Sequence, residues 1–228
     1  MIAQICEESK CTGCLACMNL CPCGAITCQE REDGNVIPQI DPEKCIECHR
    51  CVQGCPENHV KEKHEPRQCY AAWQKDRKER KYSASGGIAF GFYKRWIQNA
   101  GIVYGAAFNE KGILTQQKAE TLEEARKFRG SKYVQSYNGF SYSEIGKELK
   151  KGKKVLFIGT PCQIAGLKAY LGKASEALVT IDLICHGTPP MSYLEEYIKE
   201  IAGAEKVDRV SFRGGKRLPY GFFIVRIE

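Results

Sequence analysis

The chain has 228 residues, fourteen cysteines and a formal net charge of +7, with 43% hydrophobic and 27% charged residues. That balance excludes a disordered or fibrous chain, and the length suits one or two domains. No stretch approaches the ~20 apolar residues of a membrane span and no charged-then-apolar leader opens the chain, so the sequence reads as a cytoplasmic protein with no membrane span, where fourteen cysteines point to metal or redox chemistry rather than a disulfide framework.

Twelve of the cysteines precede Tyr70. Eight of them form an internal repeat, Cys11-x2-Cys14-x2-Cys17-x3-Cys21-Pro22 and Cys45-x2-Cys48-x2-Cys51-x3-Cys55-Pro56. Three thiolates on one tight loop suit three irons of a cube, while the fourth, displaced onto a following helix, reaches the other cluster. The repeat therefore predicts two 4Fe-4S clusters with crossed ligation: Cys11, Cys14, Cys17 and Cys55 on one, and Cys45, Cys48, Cys51 and Cys21 on the other. A pair of zinc sites is the competing reading, since four cysteines also hold zinc tetrahedrally. The remaining early cysteines, Cys6, Cys23, Cys28 and Cys69, are expected to be small packed residues. Between the two copies, β-prone runs at 25–30 and 36–40 flank Asp33-Gly34-Asn35, which reads as a hairpin. A module of about 60 residues needs staples, and metal clusters supply them.

Residues 61–81 carry eight basic against four acidic side chains, more than half of the net charge, with a strand expected at 69–73. The excess is thus a local patch, and two anionic clusters would offset much of the rest, so a nucleic-acid partner is not expected. Helical spacing follows at 86–98, then strands at 102–108 and 112–117. Thr121 to Glu124 and Ser141 to Glu144 have capping-box spacing, each predicting a helix start. The β-branched run 154–158 breaks at Gly159-Thr160-Pro161, where Thr160 can cap a helix reaching about Leu171 and Pro161 can take its first position. A strand at 178–184, a helix at 191–201 and strands at 207–212 and 220–227 complete the pattern. The βαβα succession predicts an α/β domain. The last strand has no cap or turn after it, so the native chain is expected to continue past Glu228.

Four motifs behind the cysteine module carry a family resemblance: Ser83-Ala84-Ser85-Gly86-Gly87-Ile88, Arg129-Gly130-Ser131-Lys132-Tyr133-Val134-Gln135-Ser136, Gly159-Thr160-Pro161-Cys162-Gln163 and Cys185-His186-Gly187. In this order the chain resembles the coenzyme F420 hydrogenase/dehydrogenase beta-subunit family over nearly its whole length. The resemblance implies a flavoprotein that passes electrons between iron-sulfur clusters, FAD and a substrate, which is the deazaflavin coenzyme in methanogens. Relatives include the beta subunit of some formate dehydrogenases and a chlorophyll-precursor reductase. The archaeal enzymes keep the cysteine of Cys185-His186-Gly187 but not the His-Gly, so the substrate stays open.

The residues support part of that assignment. Ser85-Gly86-Gly87 opens a helix, where free amides and the positive dipole end can hold a pyrophosphate; a plain glycine turn is the competing reading. Arg129 and Lys132 bracket Gly130-Ser131, giving either a second anion contact at Arg129, Ser131 and Lys132 or a solvated pair. Thr160, Cys162 and Gln163 stand at a strand-to-helix junction, where open α/β sheets place ligands. Cys162, Cys185 and His186 are the candidates for a catalytic or cluster-ligating role, set against two packed thiols and a loop histidine.

The sequence thus predicts an α+β ferredoxin-like domain with two 4Fe-4S clusters (1–60), a basic linker (61–82) and a FAD-binding α/β domain with a mixed, partly parallel sheet (83–228). The function expected is an iron-sulfur flavoprotein oxidoreductase, with a non-catalytic ferredoxin-like subunit as the alternative. Its electrons would come from a soluble ferredoxin or a partner redox subunit, which the basic linker would dock, and go to a small-molecule substrate or deazaflavin coenzyme. A homo-oligomer is compatible with this reading.

Overall fold

The computed structural model describes residues 4–59 and 65–202, together with Ile2, Val210 and Phe212. The strands expected at 207–212 and 220–227 lie outside the described residues but for Val210 and Phe212.

In the cysteine module, β1 (Ile26–Glu30) and β2 (Val36–Ile40) pair antiparallel with Ile26 opposite Ile40. Gly34, at φ +77°, and the Asp33 carboxylate, which accepts from Asn35 N at 3.0 Å, close the turn. The two helices of the repeat are short: α1 (Ala16–Leu20) and α2 (Arg50–Gln53). Ile2, Ile5, Leu15, Met18 and Ile26 bury together with Cys17, Cys51 and Cys55. Sulfur thus occupies the middle of this small core. Cys23 and Cys69 are exposed, contrary to the packed role expected of them. Cys23 follows the helix-ending Cys21-Pro22, and Cys69 lies on an extended segment with no sheet to join. For the same reason residues 69–73 form no strand: Tyr70 and Trp73 point outward, 80% and 63% exposed. Beyond them, α3 (Arg77–Lys81) is capped by Asp76, whose carboxylate accepts from Lys78 N and Glu79 N.

The second half is built on a four-stranded mixed sheet in the order β4-β3-β5-β6. Its strands are β3 (Ile102–Phe108), β4 (Leu114–Ala119), β5 (Val155–Gly159) and β6 (Leu178–Asp182). β3 runs antiparallel to β4 and parallel to β5, and β5 runs parallel to β6. The period of two explains why β3 and β5 are apolar throughout. Ile102, Tyr104, Val155 and Phe157 face one layer, with α6 (Ser141–Lys150) and α7 (Pro161–Leu171). Val103, Ala107, Leu156 and Ile158 face the other, with α4 (Ile88–Gln98) and α5 (Leu122–Ala125). Strands buried on both faces need unbroken hydrophobic runs. After β6, α8 (Met191–Ala202) closes the described chain.

Thr121 and Glu124 form the expected capping box at α5. At α6 the expectation fails: Ser141 is the first helical residue, Phe140 stands at the cap position, and no cap side chain accepts from the helix. An acceptor comes from the other half of the molecule. Asn19 Oδ1 on α1 accepts from Ser143 N at 3.1 Å, while its Nδ2 donates to Gly139 O at 2.8 Å and to Leu15 O at 3.0 Å. Asn138 Nδ2 donates to Cys14 O at 3.1 Å, and Ala16 joins the core formed by α6, α7 and the sheet. The cysteine module is docked against the second half, in part through α1, rather than held only by the linker. Among the described residues, no helix is long and apolar enough to cross a membrane.

Candidate functional site

Seven of the eight repeat cysteines neighbour one another in two groups, Cys11, Cys14, Cys17 and Cys55 and then Cys21, Cys48 and Cys51, although among the described residues no three metal-ligating side chains converge closely enough to hold an ion. Cys14 is pushed up to about 11, first by burial and then by neighbouring thiols, Cys55 and Cys162 among them. Cys17 rises further, through burial and then Cys14, with a smaller push from Cys11. Cys51 rises through burial and then through Cys48 and Cys21. Cys55 thus stands near Cys14, and Cys21 near Cys51. Thiols crowded in a desolvated loop do not ionise together without a cation, so the donor set fits a thiolate-bound metal centre. Cys6 belongs to the first group as well, held up to about 12 by burial and by Cys55 and Cys11. Nothing in the cysteine spacing signals that placement. The groups differ in exposure. Cys11 and Cys14 border a large cleft, whereas Cys48 is exposed on the far loop beside Ile46, itself 64% exposed.

That cleft has a volume of about 1010 Å³, the upper end of the range for small-molecule and cofactor sites. It opens at the carboxyl ends of β5 and β6, the position where open α/β sheets bind ligands. One wall is the start of α4, with Ser85 at φ 52° and Gly87 at φ 72°. A second is residues 128–136, a third the β5–α7 junction at 158–163, and a fourth the loop after β6. The cluster loop Cys11 to Cys14 completes it. Gly13, at φ +63°, has no room for a side chain: a Cβ there would come within 2.6 Å of Gln135 Nε2 and 2.9 Å of Val36 O. Gln135 Nε2 donates to Thr12 O at 3.3 Å and Gln135 N to Pro189 O at 2.9 Å. One extended segment thereby ties the cluster loop to the loop after β6.

Of the residues singled out from sequence, Ser85, Gly87, Arg129, Ser131, Lys132, Thr160, Cys162, Gln163, Cys185 and His186 all border this cleft. Gly86 faces away, against the linker. A Cβ on it would meet Ala72 O at 2.7 Å, and Gly86 O accepts from Gln74 N at 2.8 Å. Arg129 is engaged from below: its guanidinium pairs with Glu79 at 2.8 Å and lies over the Tyr82 and Phe90 rings, 5.4 and 5.2 Å from their centroids. Lys132 Nζ donates to Lys127 O and Arg129 O, and burial lowers it to about 8. The residue is half-buried, with its ammonium end the desolvated part. Gln163 is a strut. Its Oε1 accepts from Thr160 N and Gln116 Nε2, each at 3.1 Å, and its Nε2 donates to Ser136 Oγ at 2.8 Å. Thr160 Oγ1 and Cys162 Sγ are 3.1 Å apart.

The sequence reading missed Gln116. It sits on the inward face of β4 with Leu114, its Oε1 buried without a partner among the described residues. The signal was a glutamine at a core-facing position of an alternating strand. Gln116 Nε2 is used by Gln163, so Oε1 remains to accept from a ligand N–H. This orphaned acceptor, the desolvated Lys132 and the volume of the cleft fit a large, partly anionic cofactor.

Repeat cysteines at the wall of a cofactor-sized cleft point to an iron-sulfur electron-transfer protein, and comparison with known proteins bears on the class. Residues 152–226 match the family model for the C terminus of the coenzyme F420 hydrogenase/dehydrogenase beta subunit, and residues 10–59 match a 4Fe-4S dicluster domain. These matches support the chain's affiliation with the coenzyme F420 hydrogenase/dehydrogenase beta-subunit family. It is 26% identical over 200 residues to an F420H2 dehydrogenase subunit of Methanosarcina mazei, covering 81% of this chain and 55% of that protein. Over 48 residues it is 44% identical to one subunit of the Na+-translocating ferredoxin:NAD+ oxidoreductase complex of Acetobacterium woodii, covering 21% of this chain and 13% of that protein. A chain of the F420-reducing NiFe hydrogenase complex from Methanosarcina barkeri has a TM-score of 0.49 at 20% identity, covering 68% of this chain and 55% of that one. The chain spans about half the length of the F420H2 dehydrogenase subunit.

Proposed function

We propose that the chain is the flavin-bearing subunit of an oxidoreductase, with two 4Fe-4S clusters held by the crossed cysteine sets and FAD in the cleft. A flavin, when bound, supplies the exchange between single electrons and a hydride. The protein's part is to hold and orient. The start of α4 presents the positive end of its helix dipole to a pyrophosphate, with Gly87 N itself held by Ala84 O at 3.0 Å, and Lys132 offers a desolvated positive charge. Gln116 Oε1 accepts from a ring or amide N–H. Gln163 and Ser136 keep the β5–α7 junction against β4, which fixes Thr160 and Cys162 at the cleft wall. The reading rests above all on one observation: Cys11 and Cys14 border the same cleft as the flavin-candidate residues.

The exposed Cys48 loop would make its centre the outer one, where a soluble ferredoxin or partner subunit would deliver electrons bound for the cleft. The acceptor is a small molecule, of which a deazaflavin coenzyme is the example set by the family. The test is the cofactor content of protein purified without oxygen. Iron and acid-labile sulfide for two clusters and about one acid-released FAD per chain are expected. Full iron with no flavin would overturn the flavin assignment and leave a carrier subunit; zinc in place of iron would overturn the cluster assignment.

A further inference from the structure

Tyr142 stands at the second position of α6 and is fully buried, yet its hydroxyl has no partner among the described residues. The ring is accounted for: it packs edge-on to Phe157 with centroids 6.2 Å apart, inside the core shared with Ala16, Ile164 and Leu167. A phenylalanine would make the same contacts without a buried unpaired hydroxyl, which is destabilising. The hydroxyl is therefore the part that lacks a structural reason.

Its position supplies one. A Cβ on Gly166 of α7 would lie 2.9 Å from the Tyr142 hydroxyl and 3.3 Å from Cys14 Cβ, so phenol and cysteine converge on one point that only glycine leaves open. Cys162 sits one turn earlier on the same helix face. Burial first, then the Cys14, Cys162 and Cys17 thiols, hold the phenol in its protonated, donating form.

We infer that Tyr142 donates a hydrogen bond to a sulfur of the centre held by Cys11, Cys14, Cys17 and Cys55 and raises its reduction potential. The inference rests on the cluster assignment above. A donor at the sulfur stabilises the extra negative charge of the reduced state, so it favours reduction of that centre. With both centres loaded, the hydrogen bond from Tyr142 would favour transfer of one electron from the outer centre to the inner one, with no proton moved. Tyr142 acts only on the inner centre, because the Cys21, Cys45, Cys48 and Cys51 set lies in the other group.

The experiment is an anaerobic redox titration of the holo-protein followed by electron paramagnetic resonance, with wild type compared with Tyr142→Phe. The expected result is a shift of one centre to more negative potential, with the other centre and the iron content unchanged. After exchange into D2O, pulsed resonance should show an exchangeable proton coupled to the inner centre in wild type and missing in the variant. Gly166→Ala keeps the phenol but displaces its hydroxyl, so it should shift the same centre in the same direction. If Tyr142→Phe fails to hold iron, Gly166→Ala carries the test. Two centres in wild type with potentials unmoved in the variants would overturn the inference alone. A wild type with no iron-sulfur signal would overturn the cluster assignment and this inference with it.

Discussion

Asn19→Ala removes the side chain that joins the cysteine module to α6. Ser143 N, the third amide of that helix, loses its acceptor 3.1 Å away, and Gly139 O and Leu15 O each lose a donor, at 2.8 and 3.0 Å. Loss of a helix cap costs about 1 kcal/mol. The two bonds to carbonyls add about 1 kcal/mol together, because Leu15 O keeps a weaker bond from Asn19 N. A total of about 2 kcal/mol corresponds to a fall of about 4–8 °C in the thermal midpoint of a chain this size. The assay is thermal unfolding of the anaerobic holo-protein at one scan rate, with iron measured beforehand to establish that the centres are loaded equally. A midpoint matching that of wild type would refute the claim that this asparagine couples the two halves.

Flavin affinity should fall as pH rises through about 8. Lys132 is lowered to about 8 by burial, so its charge is present below that pH and lost above it, and an anionic cofactor binds best to the charged form. At pH 9 about a tenth of Lys132 is charged, and a loss of up to about tenfold is expected by fluorescence titration, with Lys132→Met weak and flat across the range. Glu79→Gln should act in the opposite sense: it leaves Arg129 uncompensated at the cleft wall, tightening flavin binding a few-fold while costing about 1 kcal/mol of stability. Cys55→Ala and Cys21→Ala should each remove about half of the iron, and from different centres, as resolved by their resonance spectra. Arg77 and Lys78 of α3 are exposed, so reduction by an acidic ferredoxin should slow with rising ionic strength, and charge reversal at both should slow it several-fold.

The legible part of this molecule was that carried by local chemistry. Cysteine spacing identified the module, the Asp33-Gly34-Asn35 turn its hairpin, and the apolar runs of β3 and β5 the buried centre of a sheet. Ser141 shows where local reading ends. Its capping-box spacing is real, but Asn19, more than a hundred residues away, supplies an acceptor to the helix start, and the serine moves into the first turn. The Cys69 to Trp73 run was β-prone yet pairs with no strand of the described sheets. At the site, Thr160 and Lys132 could be placed at the cleft because their motifs mark a strand-to-helix junction and a basic loop. Gln116 and Tyr142 could not, since each is an ordinary strand or helix residue whose significance lies in one unpaired polar atom.

Single electrons held at cysteine-bound centres should be paired on a flavin inside the same chain. An anaerobic reductive titration measures this directly, with absorbance and paramagnetic resonance recorded at each addition. About four electron equivalents per chain are expected, one for each of two clusters and two for the flavin. A protein that saturates at about half that number, with no centre accepting a second electron, would contradict the pairing.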